Sequence, residues 1–157
     1  MSVATAVTSS RASSVSSTQS VTAVFVPVAR AFLAAMFLMA GPSHFNPAMV
    51  GYAQSAGVPF APFLVPASGV LAFLGGLSVL LGFRARVGAA MLVAFLVPVT
   101  LSMHAFWGVK DPMMAQMQFA MFMKNLGLLG GVLLVAHFGA GPYSLDARRT
   151  AAFGSTR

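Results

Sequence analysis

Four long apolar stretches, at residues 24–40, 65–81, 87–106 and 118–138, are separated by short polar intervals. About 20 apolar residues in a helix rise about 30 Å, the thickness of a bilayer's hydrocarbon core. Each stretch therefore predicts a membrane-spanning helix. Small residues recur inside them at helical spacing: Gly69, Ala72 and Gly76, then Ala90 and Ala94, then Gly127 and Gly131. Such residues let helix backbones approach closely in lipid. The pattern predicts an all-α integral membrane protein, a four-transmembrane-helix bundle. Pro98 falls in mid-stretch and predicts a kink in the third helix. Asn46-Pro47 reads as a cap followed by a first helical residue, and Gly57-Val58-Pro59 as a stop. A short outer interfacial helix is expected between them, at 47–56.

The polar ends divide the chain. Residues 1–22 are rich in Ser, Thr and Ala, carry one charge and predict a disordered tail. A cleavable leader is the less favoured reading, because Arg30 interrupts the apolar run. The membrane domain is placed at 23–147 and a second tail at 148–157. Arg11, Arg84, Arg86, Arg148, Arg149 and Arg157 fall on one side of the expected topology, and only Lys110 lies in the opposite loops. This asymmetry predicts both termini on the cytoplasmic side of the membrane. Arg30 then lies near the inner interface and is expected to snorkel to lipid phosphates as an anchor.

Composition agrees with the pattern. Of 157 residues 58% are hydrophobic and 7% charged, and the mean hydropathy is +0.86. A soluble domain carries roughly 25% charged residues. The net charge of +7 sits at the ends of apolar runs, which is a topology signal and not a nucleic-acid surface. With no cysteine, thiol chemistry, iron–sulfur clusters and covalent haem are excluded. The two acids, Asp111 and Asp146, lie in loops on opposite sides, so no carboxylate pair can act as acid and base.

Against this background Lys124 stands out, a cation inside the fourth stretch with no acid at its depth. It shares a helical face with Gly127 and Gly131, and is expected to face the bundle interior. There it can hold an anionic or carbonyl-bearing ligand, or else snorkel to the outer interface. Asn125 points about 100° away from it. Thr100 and His104 share a face in the outer half of the third helix. His104 and His44 fall on the same side as Lys124, and imidazole titrates near neutrality, so His104 is the candidate for proton exchange. A haem between the two histidines is a minor alternative. Met113, Met117 and Met121, with Met103 and His104, suggest copper(I) as another, although methionine is also an ordinary packing residue. His137 reads as an interface residue at the other end.

In order, the chain shows Arg30, a loop ending Gly57-Val58-Pro59, and a Gly75-Gly76 helix ending Leu81-Gly82-Phe83-Arg84-Ala85-Arg86. The last helix carries Lys124-Asn125-Leu126-Gly127-Leu128-Leu129-Gly130-Gly131 and closes with Gly141-Pro142-Tyr143-Ser144-Leu145-Asp146. Over about residues 26–148 this resembles the DoxX family of small four-helix bacterial membrane proteins. The resemblance implies an association with membrane thiosulfate:quinone oxidoreductase subunits or with thiol and oxidative-stress complexes. Relatives often carry a Glu ahead of the Gly-Gly pair. Here Leu71-Ala72-Phe73-Leu74 stands there instead.

The reading that results is a redox-associated subunit in the lipid bilayer, with a quinone as its possible cofactor. A quinone-like or small anionic ligand would sit in an outward-facing intramembrane pocket formed by Lys124, Asn125, His104 and His44. The alternatives are a non-catalytic scaffold for a partner protein, and a small transporter or metal handler. A redox partner protein and a homo-oligomer are the partners considered.

Overall fold

The computed structural model describes residues 23–154, so the expected tail at 1–22 lies outside them. The regular structure among the described residues is helical: α1 Phe25–Ser43, α2 Pro47–Ser55, α3 Ala61–Leu81, α4 Ala85–Met103, a 3-10 turn Phe106–Gly108, α5 Pro112–Phe138 and α6 Leu145–Gly154. Four of these helices (α1, α3, α4 and α5) are long and apolar enough to cross a membrane. α6 runs through the boundary expected at 147/148. α3 and α5 also start earlier than the apolar runs do. Pro62 and Pro112 lie in their first turns, where a missing N–H removes no helical bond. The Asp111 side chain caps α5, accepting from the Met114 amide at 2.8 Å. Asn46 caps α2 in the same way, accepting from the Ala48 amide at 2.9 Å.

The helices pack largely in chain order, α1 on α3, α3 on α4 and α4 on α5. α1 and α5 meet at few points, among them Leu33 against Gly131. Phe37, Val79, Leu92, Leu96 and Val132 are the largest fully buried side chains. α1 lies against α3 with Arg30 beside Gly82, Phe37 beside Gly76 and Gly41 beside Gly69. That register ends α1 about two turns short of the start of α3. α2 covers the remainder, burying Ala53 against Ala61 and Val65. α4 packs through Ala85, Gly88, Ala89 and Leu92, while Ala90 and Ala94 turn outward. The packing stripe follows the glycines, because Gly88 on α4 and Gly75 on α3 together let the two helices close on Ser78 and Leu92. The helix continues through Pro98.

One end of the bundle is tied by a compact polar knot. Arg30 is 4% exposed. It donates from Nη1 to the Ala140 carbonyl at 2.8 Å and from Nη2 to the Tyr143 carbonyl at 2.7 Å. Its place is therefore inside the protein and not among lipid phosphates. The segment after α5 supplies acceptors that bulk lipid lacks, and a buried cation takes them. Asp146 completes the knot. Its two carboxylate oxygens accept from the Arg84 and Ala85 amides at 2.8 and 3.0 Å, capping α4, and its own amide donates to the Gly82 carbonyl at 2.8 Å. Ser144 caps α6, its Oγ accepting from the Ala147 amide at 3.1 Å.

Gly82 is the residue this knot cannot exchange. Its φ is +62°, and a Cβ there would collide with the Arg30 guanidinium and with Ser144. Gly82→Ala is expected to lower stability by more than the about 1 kcal/mol that left-handed geometry alone costs an L-residue. Ser144→Ala, which removes a cap and the hydroxyl's bond to the Gly141 carbonyl, is expected to cost about 1–2 kcal/mol. Thermal unfolding in detergent checks both. A Gly82→Ala protein as stable as wild type would show that the knot does not constrain the fold.

Candidate functional site

At the opposite end, α2, α4 and α5 bring polar side chains together. His104 is the C-cap residue of α4, and its Nδ1 lies 2.8 Å from Gln118 Oε1 on α5. Gln118 Nε2 donates to the Tyr52 hydroxyl on α2 at 2.9 Å. About one turn deeper, Asn125 Nδ2 donates to Thr100 Oγ1 at 3.1 Å, and both residues are buried. Helical spacing builds this ladder. Thr100 and His104 are four residues apart on α4, and Gln118 and Asn125 are seven apart on α5, so each pair shares a face.

The orientation of the Gln118 amide sets the protons. The Gln118 amide nitrogen donates to Tyr52, so its carbonyl oxygen faces His104 and accepts from Nδ1–H. In the neutral ring this leaves Nε2 as an acceptor. An imidazole so held can receive a hydrogen bond from a hydroxyl. Once protonated, it can donate one to a carbonyl.

The remaining expected residues are placed differently. Lys124 is exposed on the outer face of α5, with Nζ 3.5 Å from Met121 Sδ. The expectation that it faces the interior is thus corrected, and Asn125 is the residue that points inward. The cause is that α4 approaches α5 on the Gln118/Asn125 face, and a Cβ at Gly127 would meet nothing within 4 Å. His44 is half-buried beneath the outer loop. Its Nδ1 lies 2.8 Å from the Ala40 carbonyl, and its ring packs edge-on to Phe95 at 5.5 Å. Phe95 is nine residues before His104, about 13 Å lower along α4, so the two imidazoles serve different surroundings. Met103 packs beneath α2, while Met113 and Met117 are exposed on α5. Among the described residues, no group of three or more His, Cys, Asp or Glu can hold a metal ion.

Neither Gln118 nor Tyr52 is among the site residues expected from the sequence. The spacing of Gln118 and Asn125 puts two amides on one face of α5, but only the packing of the helices sets that face against Thr100 and His104. The aromatic group of Phe106, Trp107, Phe119 and Phe122 packs edge to face with centroids 5.1–6.0 Å apart. It holds the 3-10 turn after His104 against α5.

The sequence model of the SURF4 family matches residues 65–151. The inner membrane protein YqjF of Escherichia coli K12 is 35% identical over 131 residues, 78% of this chain and 90% of that protein. No solved structure matches the chain. These findings overturn the resemblance to the DoxX family. Part of what suggested it, Gly82, Arg84, Ser144 and Asp146, is used here to join the two turns at one end of the bundle.

The two α5 residues at 124 and 125 are expected to respond in opposite directions. Asn125→Leu removes an interhelical hydrogen bond in an apolar setting and is expected to cost about 0.6–1.7 kcal/mol. Lys124→Met is expected to hold or raise stability, since a central lysine costs about 2.5–3.5 kcal/mol on the insertion scale and Lys124 lies off-centre. Unfolding in detergent measures both. A large loss in Lys124→Met with none in Asn125→Leu would mean that the two faces of α5 have been interchanged.

Proposed function

The chain belongs to the SURF4 family of integral membrane proteins, and we propose that it acts in a bacterial inner membrane by binding an amphipathic molecule with a carbonyl or hydroxyl head group. A quinone-like ring fits the reading best. Its head would meet His104 at the mouth formed by α2, α4 and α5, and its tail would lie along the apolar surface of α5. The observation that carries the proposal is the Tyr52–Gln118–His104 chain, which fixes the imidazole and leaves Nε2 for a ligand. His104 would exchange a proton with the ligand's hydroxyl. The outward position of Lys124 favours a neutral head over a small anion. The positive-inside asymmetry supports placing this mouth on the outer side, with the termini in the cytoplasm.

A second reading, a scaffold that recruits a partner protein, draws support from α5, of which little is covered by the rest of the chain. One experiment separates the two: thermal unfolding of the purified protein in detergent with and without a short-chain benzoquinone. A ligand at a hundredfold excess over its Kd stabilises by about 2.7 kcal/mol. The wild type and Lys124→Met are expected to shift alike, and His104→Ala is expected to lose the shift. Equal shifts in wild type and His104→Ala would remove the imidazole from the site. No shift in any of them would leave the scaffold, to be sought by co-purification.

A further inference from the structure

A cavity of about 620 Å³ opens at the other end of the bundle, around the polar knot. Arg84, Arg86, Gly139, Gly141 and Thr150 line it, with Phe138 and Val87 as an apolar wall. Arg86 is held in place, its Nη2 donating to the His137 carbonyl at 3.1 Å. The Arg84 guanidinium has no hydrogen bond or ion pair with any described residue. Asp146 also borders the cavity, but both its carboxylate oxygens are engaged by the Arg84 and Ala85 amides. Two arginines against that one carboxylate leave the lining net cationic, and Arg148 and Arg149 follow on α6. Phe138 and Val87 are 73% and 57% exposed, so the apolar wall continues onto the membrane-facing surface.

We infer that this cavity binds a phosphate group, with Arg84 and Arg86 as its cationic contacts. Guanidinium forks match phosphate oxygens in geometry and charge. The volume falls in the range of pockets that take small organic molecules. The cavity also lies where the helices end and lipid headgroups begin. An anionic phospholipid satisfies the arginines with its phosphate and the Phe138–Val87 wall with its acyl chains. A free phosphate compound would satisfy the arginines alone.

The test is native mass spectrometry of the full-length protein released from detergent in the presence of phosphatidylglycerol, phosphatidylcholine or inorganic phosphate. Two variants accompany the wild type. Arg84→Asn suits the left-handed backbone there, whose φ is +47°. Thr150→Glu puts a carboxylate at the mouth without touching the knot's contacts to α4. Phosphatidylglycerol is expected to be retained in preference to phosphatidylcholine. Each variant is expected to weaken that retention about fivefold or more, the usual effect of one basic residue near anionic lipid. His104→Ala, at the far end, is expected to leave it unchanged. If inorganic phosphate displaces the lipid, the phosphate site stands and its source is soluble; if it does not, the source is the lipid. Equal retention of both lipids, or wild-type retention in both variants with unchanged helicity, would overturn the inference.

Discussion

A buried guanidinium needs acceptors, and the hydrocarbon core of a bilayer offers none. Arg30 finds them on the Ala140 and Tyr143 carbonyls, in the segment that follows the last span. Hydrogen bonds from a charged group are worth about 1.5–3 kcal/mol each, and their loss would strand the charge. Much of the architecture depends on that contact. It requires the chain after α5 to turn back across α1. The same turn brings Ser144 to cap α6 and Asp146 to cap α4. Gly82 has to be a glycine because all of this passes directly over it.

The polar ladder at the other end has the reverse character. It is built from neutral groups on helices already in contact, so no charge compels it. Its rungs fix the rotation of α5 about its own axis, since only one face of α5 carries Gln118 and Asn125. That rotation is what sends Lys124 outward. The lysine is tolerated there because its long stem can lie along the helix toward the N-terminal end of α5.

The four spans and the outer helix were legible because membrane length and cap residues are local signals. Helix starts were read less well where a proline stood in the first turn: Asn46-Pro47 was recognised, and the equivalent Asp111-Pro112 was not. The face of each helix was the hardest part. A stripe of small residues gives a surface that can be approached, not one that is. Gly69 and Gly76 meet α1, whereas Ala90, Ala94 and Gly127 face away. Arg30 was misjudged for a related reason. Its partners are backbone carbonyls more than a hundred residues away, and a carbonyl leaves no mark in a sequence. His104 and Thr100 were legible because they share a face, but their partners on α5 became visible only once the register of the two helices was known.

The distance between Arg30 and its acceptors also bears on biogenesis. Arg30 and Ala140 are separated by 110 positions. A ribosome adding about 5–20 residues per second needs roughly 5–20 s to cover that interval. During that time the first span is in the translocon or the bilayer with an unsatisfied cation. In that nascent state the arginine belongs at the headgroups, and only the arrival of the last segment draws it inward. A chain interrupted before residue 140 would keep α1 against α3 but leave Arg30 without its carbonyl acceptors. Arg30 thereby ties the burial of that end of α1 to completion of the polypeptide.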